Sequence, residues 1–433
     1  MKLIVFIAFA LFVTTFAKKL DEKYMWKELD FAWPSEEVKQ AAIKSGRYIE
    51  SHNLPLGLEV WKDKMFITVP RWKGGVASSL NYFKINDERS PVLIPYPSWE
   101  ANQLPESEQT TQASYGGGRT DAKEAEKADN LLAKNNETII STFRIRADDC
   151  DRLWVMDSGL ADILGSPKQW APNSIAVFDL NTDKLIRRFV IPEDQVKEDS
   201  FFANIIIDTQ ASDCSNAFAY LPDLGSYAVV VYDFKNDKSY RVKHNFFHFD
   251  PLQGDLTVGG VNFQWTDGVF GMALGTPTNE HGDRTVYFHA LASTKEFSVP
   301  NTVLKNETFA TSGDSYYAYT LLGDRGTKSQ ATAEFYDEKT DVIFYTQINR
   351  DAIGCWNIKK PYTPENQGLV DSDSHTLVFP NDLKVDDKGN LYVLSDRMPL
   401  FIYKNLEPGY NYRILTGKTE EVIVGTPCEN AVQ

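Results

Sequence analysis

Short apolar runs bounded by turn residues recur along this chain, and no long amphipathic helix pattern separates them. The clearest is Cys150–Gly159, reading Cys-Asp-Arg-Leu-Trp-Val-Met-Asp-Ser-Gly, whose centre Leu153–Met156 is apolar on both alternating faces. A strand that cannot afford a polar face is one buried between neighbouring sheets. Comparable runs are Met65–Val69, Phe218–Leu221, Thr285–Ala290, Asp341–Gln347 and Leu391–Leu394. Each follows a strand-like segment and a turn, and most lead into a strand ending in an aromatic beside an acid or amide, such as Phe178-Asp179, Tyr232-Asp233 and Trp356-Asn357. Six such units at a spacing of roughly 50 to 90 residues predict an all-β, six-bladed β-propeller. A pair of β-sandwiches is the alternative; the missing helices disfavour a parallel α/β fold.

The ends refine this expectation. Residues 1–17 combine Lys2, an apolar run from Leu3 to Phe16 and Ala17, the pattern of a secretory signal peptide. The run falls short of the ~20 residues that span a bilayer. About 416 residues would remain (433 − 17) as one propeller domain. Lys23–Trp33 is aromatic-rich and reads as a strand ending at Pro34. Lying ahead of the first unit, it is placed to complete the last blade and close the ring. Ser35 then caps a short helix ended by Gly46. Residues 101–136 are polar, carry Gly116-Gly117-Gly118 and have almost no large apolar side chains, so they read as a mobile insertion between the first two blades.

Charge removes whole classes of partner. With 45 basic against 60 acidic residues, net −15, the chain lacks the cationic surface that nucleic acid or anionic membrane requires. Four cysteines, Cys150, Cys214, Cys355 and Cys428, suit two disulfides in a secreted, extracellular chain, with three pairings open. Asn136 and Asn306 head the glycosylation sequons Asn-Glu-Thr.

No catalytic, metal-binding or cofactor motif is present. His244 and His248 are four residues apart but flank Asn245-Phe246-Phe247, which reads as loop or strand, so no metal is expected there. The remaining chemistry lies in polar residues expected to face the channel: Asp157, Asp208, Asp223, Asp267, Gln347, Asn349, Asn381, Asp382 and Asp396. Carboxylates and amides in such a ring hold metals through oxygen, bind ammonium groups or cap turns. Turn capping fits most of them singly. Asn381, Asp382 and Asp396 differ because they bracket one hairpin, with Phe379 and Met398 at the same ends as an apolar wall.

Cys150–Gly159, Tyr96-Pro97-Ser98-Trp99, Asp267–Leu274 and Gly354-Cys355-Trp356-Asn357 resemble the yellow/major royal jelly protein family of insects, as do Asn53–Gly57 and Ile67–Arg71. The resemblance runs from about Tyr24 to Cys428. It implies a six-bladed propeller with disulfides Cys150–Cys214 and Cys355–Cys428. Functions within the family include cuticle pigmentation and melanin formation, dopachrome conversion, salivary capture of biogenic amines, and nutrition. In the amine-binding members the ligand is held at places that correspond here to Asn381, Asp396 and Met398, which differ in residue type from the family's pattern. The resemblance thus implies a secreted propeller in the pigment pathway that binds a small aromatic amine or catechol. Its alternatives are a dopachrome-converting isomerase and a storage protein without ligand chemistry.

Overall fold

The computed structural model describes residues 19–86, 88–105, 132, 135–210 and 212–430. The segment read as a signal peptide and most of the 101–136 stretch read as an insertion therefore lie outside the described residues. Among those described, six four-stranded antiparallel sheets form the blades of a propeller. Their innermost strands are Gly57–Trp61, Thr142–Ala147, Ile206–Asp208, Val269–Leu274, Glu334–Asp337 and Pro380–Val385. The inner strand of blade one touches those of blades two and six, and that of blade five touches those of four and six.

Each second strand is buried on both faces because neighbouring sheets sandwich it. Arg152–Asp157, Phe218–Asp223 and Val342–Gln347 are buried at every position. The core is accordingly divided among inter-blade layers. Trp154 of blade two packs on Phe234 of blade three at 5.2 Å, and Tyr287 of blade four on Trp356 of blade five at 5.8 Å. Hairpins turn through residues with φ near +55°, among them Asp151, Asp183, Asp237 and Asp341. Aspartate tolerates that left-handed region better than most side chains, which explains its recurrence between strands.

The ring closes as expected from the chain order. Asp21–Trp26 is the outermost strand of blade six, pairing antiparallel with Tyr412–Lys418. Tyr24 and Trp26 also reach Phe83 of blade one, at 4.8 and 5.8 Å. The strand stops at Trp26 rather than at Pro34, and Phe31 makes only an isolated bridge to Leu93. Ser35 Oγ accepts from Val38 N to cap the helix Glu36–Ser45, and Gly46 ends it at φ 76°. The disulfides pair Cys150 with Cys214 and Cys355 with Cys428, joining blade two to three and blade five to the C-terminal segment.

Two further features depart from the sequence expectation. The start of the polar insertion is anchored: Asn102 is buried, and its Oδ1 accepts from Ser79 N and Leu80 N, both at 3.0 Å. The outer strand of blade four, Thr320–Asp324, follows a helical excursion through residues 301–318. Its exposed, mixed composition gave no alternation to detect.

Candidate functional site in the channel

Asn381 and Asp396 meet at one end of the blade-six hairpin. The inner strand Pro380–Val385 pairs with Asn390–Ser395, and the register slips between Pro380 and Asp382. Such an irregularity re-aims a side chain out of the ladder, and Asn381 is the residue it displaces. Asn381 Nδ2 donates to Asp396 Oδ2 at 2.6 Å, Met398 N donates to Asp396 Oδ1 at 3.1 Å, and Asn381 Nδ2 lies 3.8 Å from Met398 Sδ. Asn381, Asp396 and Met398 are 2, 0 and 6% exposed.

Burial pushes the Asp396 carboxyl well above the usual carboxylate range, outweighing the lowering by Asn381 and the Met398 amide. Among the described residues no lysine or arginine stands at ion-pair distance from it. The cation that acts on it, Arg144, is engaged elsewhere. Its guanidinium donates to Thr332 O at 2.8 Å and Asn381 O at 2.5 Å, lies 3.7 Å from Asp382, and sits 4.2 Å over the Phe270 ring. Asp382 in turn takes Lys384 Nζ at 2.7 Å and Leu58 N at 3.0 Å. Asp382 therefore belongs to a structural ion network, whereas Asp396 does not.

Backbone strain gathers here too. Phe379 and Arg397, both at φ 55°, flank Asn381 and Asp396 outside any tight hairpin turn. A bulky residue in that region persists only where its surroundings impose it, most often at functional sites. The site is covered. The helix Met398–Tyr403 packs against the hairpin formed by Asp255–Val258 and Val261–Gln264. Trp265 Nε1 donates to the Tyr403 hydroxyl at 2.8 Å and Trp265 packs 6.0 Å from Phe379. Gly259 turns this hairpin at φ 56°, the left-handed region that favours glycine, and a Cβ there would lie 2.4 Å from Leu400 Cδ1 and force that side chain to shift.

The other channel candidates are committed to the fold. Asp157 accepts from the amides of Ile140, Ser141 and Gly159 and lies 3.6 Å from Arg188. Asp223 takes Ser200, the Phe201 amide and Arg241, the last at 2.7 Å. Asp208 binds Tyr220, Asn301 and Lys305 between blades three and four. Gln347 accepts from Arg350, and Asn349 from the Thr257 amide. Asp267 is different, because burial pushes its carboxyl up to about 6. Asp351, which the sequence reading did not single out, is also raised to about 6 by burial, and its Oδ1 is buried without a partner.

Arg144 and Lys384 were missed as well. Their signal was a charged residue at an inward position of a buried inner strand, with Arg144 and Arg146 alternating in Thr142–Ala147. They front a cavity of about 200 Å³ whose lining includes Asn204, Glu334 and Asp382. Neither that cavity nor a larger one of about 500 Å³ against the helix Glu36–Ser45 is lined by Asn381, Asp396 or Met398.

The histidines resolve differently from the pair considered first. His244 accepts from Phe246 N and stacks on Tyr319 at 3.9 Å, while His248 stacks on Tyr227 at 4.6 Å. The buried group with metal-ligand chemistry is His289, Glu296 and Glu334. His289 Nδ1 stands 3.3 Å from Glu296 and 3.1 Å from Glu334, and Arg325 binds Glu296 at 2.7 Å. Burial pulls His289 down, but Glu334 beside it wins and raises it, while burial followed by Glu334 lifts Glu296 to about 7. Arg325 faces Glu296, and His289 stands between the two carboxyls, so these side chains are engaged with one another rather than turned to an open site.

Residues 140–428 match the family described as Major royal jelly protein. The chain is 38% identical over 418 residues to "Protein yellow" of Drosophila subobscura, covering 95% of this chain and 68% of that one. It is 37% identical over 420 residues to "Protein yellow" of Drosophila erecta and of Drosophila melanogaster, each time covering 95% of this chain and 71% of the relative.

Proposed function

The chain belongs to the yellow and major royal jelly protein family, and on that premise we propose that it is a secreted yellow-like propeller that acts in cuticle pigmentation by binding a catechol or indole amine at Asp396. The observation that carries this reading is the Asp396 carboxyl itself, wholly buried yet met, among the described residues, by an amide side chain and one backbone N–H with no cation in contact. A desolvated carboxyl of this kind gains most from a ligand that brings a positive charge, because charge-assisted bonds strengthen as water is excluded. Asn381 supplies a second polar contact, for a ring hydroxyl or the amine, and Phe379 with Met398 an apolar wall. The ligand reaches the carboxyl when the helix Met398–Tyr403 and the hairpin above it part. Calorimetric titration of dopamine and serotonin tests this: saturable heat is expected, lost in Asp396→Ala, and unchanged binding in that variant refutes the assignment. Passage through the secretory route would place glycans on Asn136 and Asn306, both exposed.

A dopachrome-converting isomerase is the second reading, favoured by Asp267 and Asp351. Both carboxyls are held near pH 6 by burial, within the range where one group can donate and accept a proton. Dopachrome absorbance followed with and without protein decides it. A rate equal to the buffer control removes this reading and leaves the binding one untouched.

A further inference from the structure

Next to the channel site, three nitrogen-bearing side chains converge where blade five passes into blade six. Arg397 lies between the strand Asn390–Ser395 and the helix Met398–Tyr403. Arg413 is on the strand Tyr412–Lys418, and His375 is on the connection from Gln367–Ser372 to the inner strand Pro380–Val385. Arg397 Nη2 stands 3.5 Å from His375 Nδ1, and Arg413 Nη2 stands 3.4 Å from His375 Nε2. One imidazole thus faces a guanidinium at each ring nitrogen.

Those two contacts cannot both be hydrogen bonds. A guanidinium only donates, and an imidazole accepts at one nitrogen when neutral and at none when protonated. In either state at least one guanidinium N–H points at a ring N–H with no acceptor between them. Arg397 has further unmet demand. Its Nη2 donates to His375 O at 2.9 Å, but its Nε is buried without a partner. Burial and then the neighbouring Arg413 charge lower Arg397, while Glu407 and Asp351 act on it only from a distance. Among the described residues no carboxylate stands at ion-pair distance from it. Arg413 differs, since it is buried and its Nε donates to Glu22 at 3.0 Å. One guanidinium has its counter-charge and the other lacks it, in a protein of net charge −15 where acids are plentiful. Arg397 also holds the left-handed φ of 55°.

We propose that Arg397, Arg413 and His375 form an oxyanion site, whose ligand accepts from both guanidiniums and from the imidazole N–H. An oxyanion supplies the acceptors that the cluster lacks and the charge that Arg397 lacks. Bonds between guanidinium and an anionic oxygen are among the strong ones, and arginine suits their geometry. His375 is exposed, so the ligand meets the cluster from solvent and the helix over Asp396 need not move. A free inorganic ion and the phosphate of a small organic ester offer the same chemistry here. The site takes the charge opposite to that sought by Asp396, one residue away.

Calorimetric titration with inorganic phosphate, phenyl phosphate and chloride, at constant ionic strength so that screening is equal, tests the proposal. Both phosphates are expected to give saturable heat and chloride none. Equal affinity for the two identifies the free ion as sufficient, and phenyl phosphate tighter by about tenfold identifies an ester whose organic part adds contact. Arg397→Gln removes a charged donor and should weaken phosphate binding about tenfold, with far-UV circular dichroism unchanged. His375→Ala changes an exposed side chain and should weaken it about fivefold. That variant decides the matter even where Arg397→Gln disturbs the helix it precedes. No saturable heat with either phosphate, the same heat with chloride, or wild-type affinity in His375→Ala overturns the proposal. The amine reading is tested separately, at Asp396, and its failure leaves these outcomes intact.

Discussion

Asp223 and Asp396 both stand at the end of a second blade strand, and both are buried, yet their surroundings differ in kind. Asp223 closes Phe218–Asp223 and is satisfied by a hydroxyl, a backbone amide and the Arg241 guanidinium. Asp396 follows Asn390–Ser395 and has an amide, one backbone N–H and no contacting cation among the described residues. Asp157 in blade two belongs with Asp223, since three amides and Arg188 serve it. Burial of an acid is thus not itself a functional mark. What separates the two cases is whether the fold has already provided the compensating charge. Where it has, the residue holds the blade together. Where it has not, the fold bears the cost, and a ligand can relieve it.

Substitutions should split along this line. Asp223→Ala strands Arg241 in a buried position and should lower unfolding free energy by about 3–5 kcal/mol, read from the denaturant midpoint. Asp157→Asn keeps one acceptor oxygen but loses the charge facing Arg188, so a loss of about 1–3 kcal/mol is expected in the same assay. A neutral result for either would erase the contrast with Asp396.

Asp396→Asn should move the other way. The folded protein holds the Asp396 proton to higher pH than the unfolded chain does, so the stability this one group contributes is fully present below the usual carboxylate range. That contribution is lost as pH rises from there towards the raised folded value. Asparagine has no such loss. The melting temperature of Asp396→Asn should therefore exceed that of the wild type at pH 7 and match it more closely at pH 4. A variant less stable than wild type at pH 7 would place Asp396 with Asp223. Met398→Leu conserves volume and gives up only the weak contact to Asn381, so a cost under about 1.5 kcal/mol is expected. A larger one would make Met398 part of the scaffold.

Much of the scaffold was legible because a short continuous apolar run reports burial on both faces of a strand. Runs such as Leu153–Met156 marked the second strands, and the aromatic segment before the first unit marked the ring closure. The juxtaposition of Asn381 and Asp396 was legible for the same reason, since residues bracketing one hairpin meet when it forms. Other parts depend on long-range packing that local pattern does not carry. Asn102 sits in a polar stretch but is buried through two amides of blade one. Arg144 of blade two finds its partners on blades five and six. The covering hairpin Asp255–Gln264 had a readable signal in Gly259-Gly260 between two alternating runs. That it packs against the helix after Asp396 follows only from the assembled ring.

The central claim, that Asp396 gives up its proton to accept an ammonium ligand, is tested most directly by counting protons. Dopamine binding measured at pH 7 in two buffers of different ionisation enthalpy should show net proton release, since a carboxyl raised by burial ionises as the ammonium enters. The release should vanish in Asp396→Asn. Binding without proton release, or the same release in Asp396→Asn, would contradict the account.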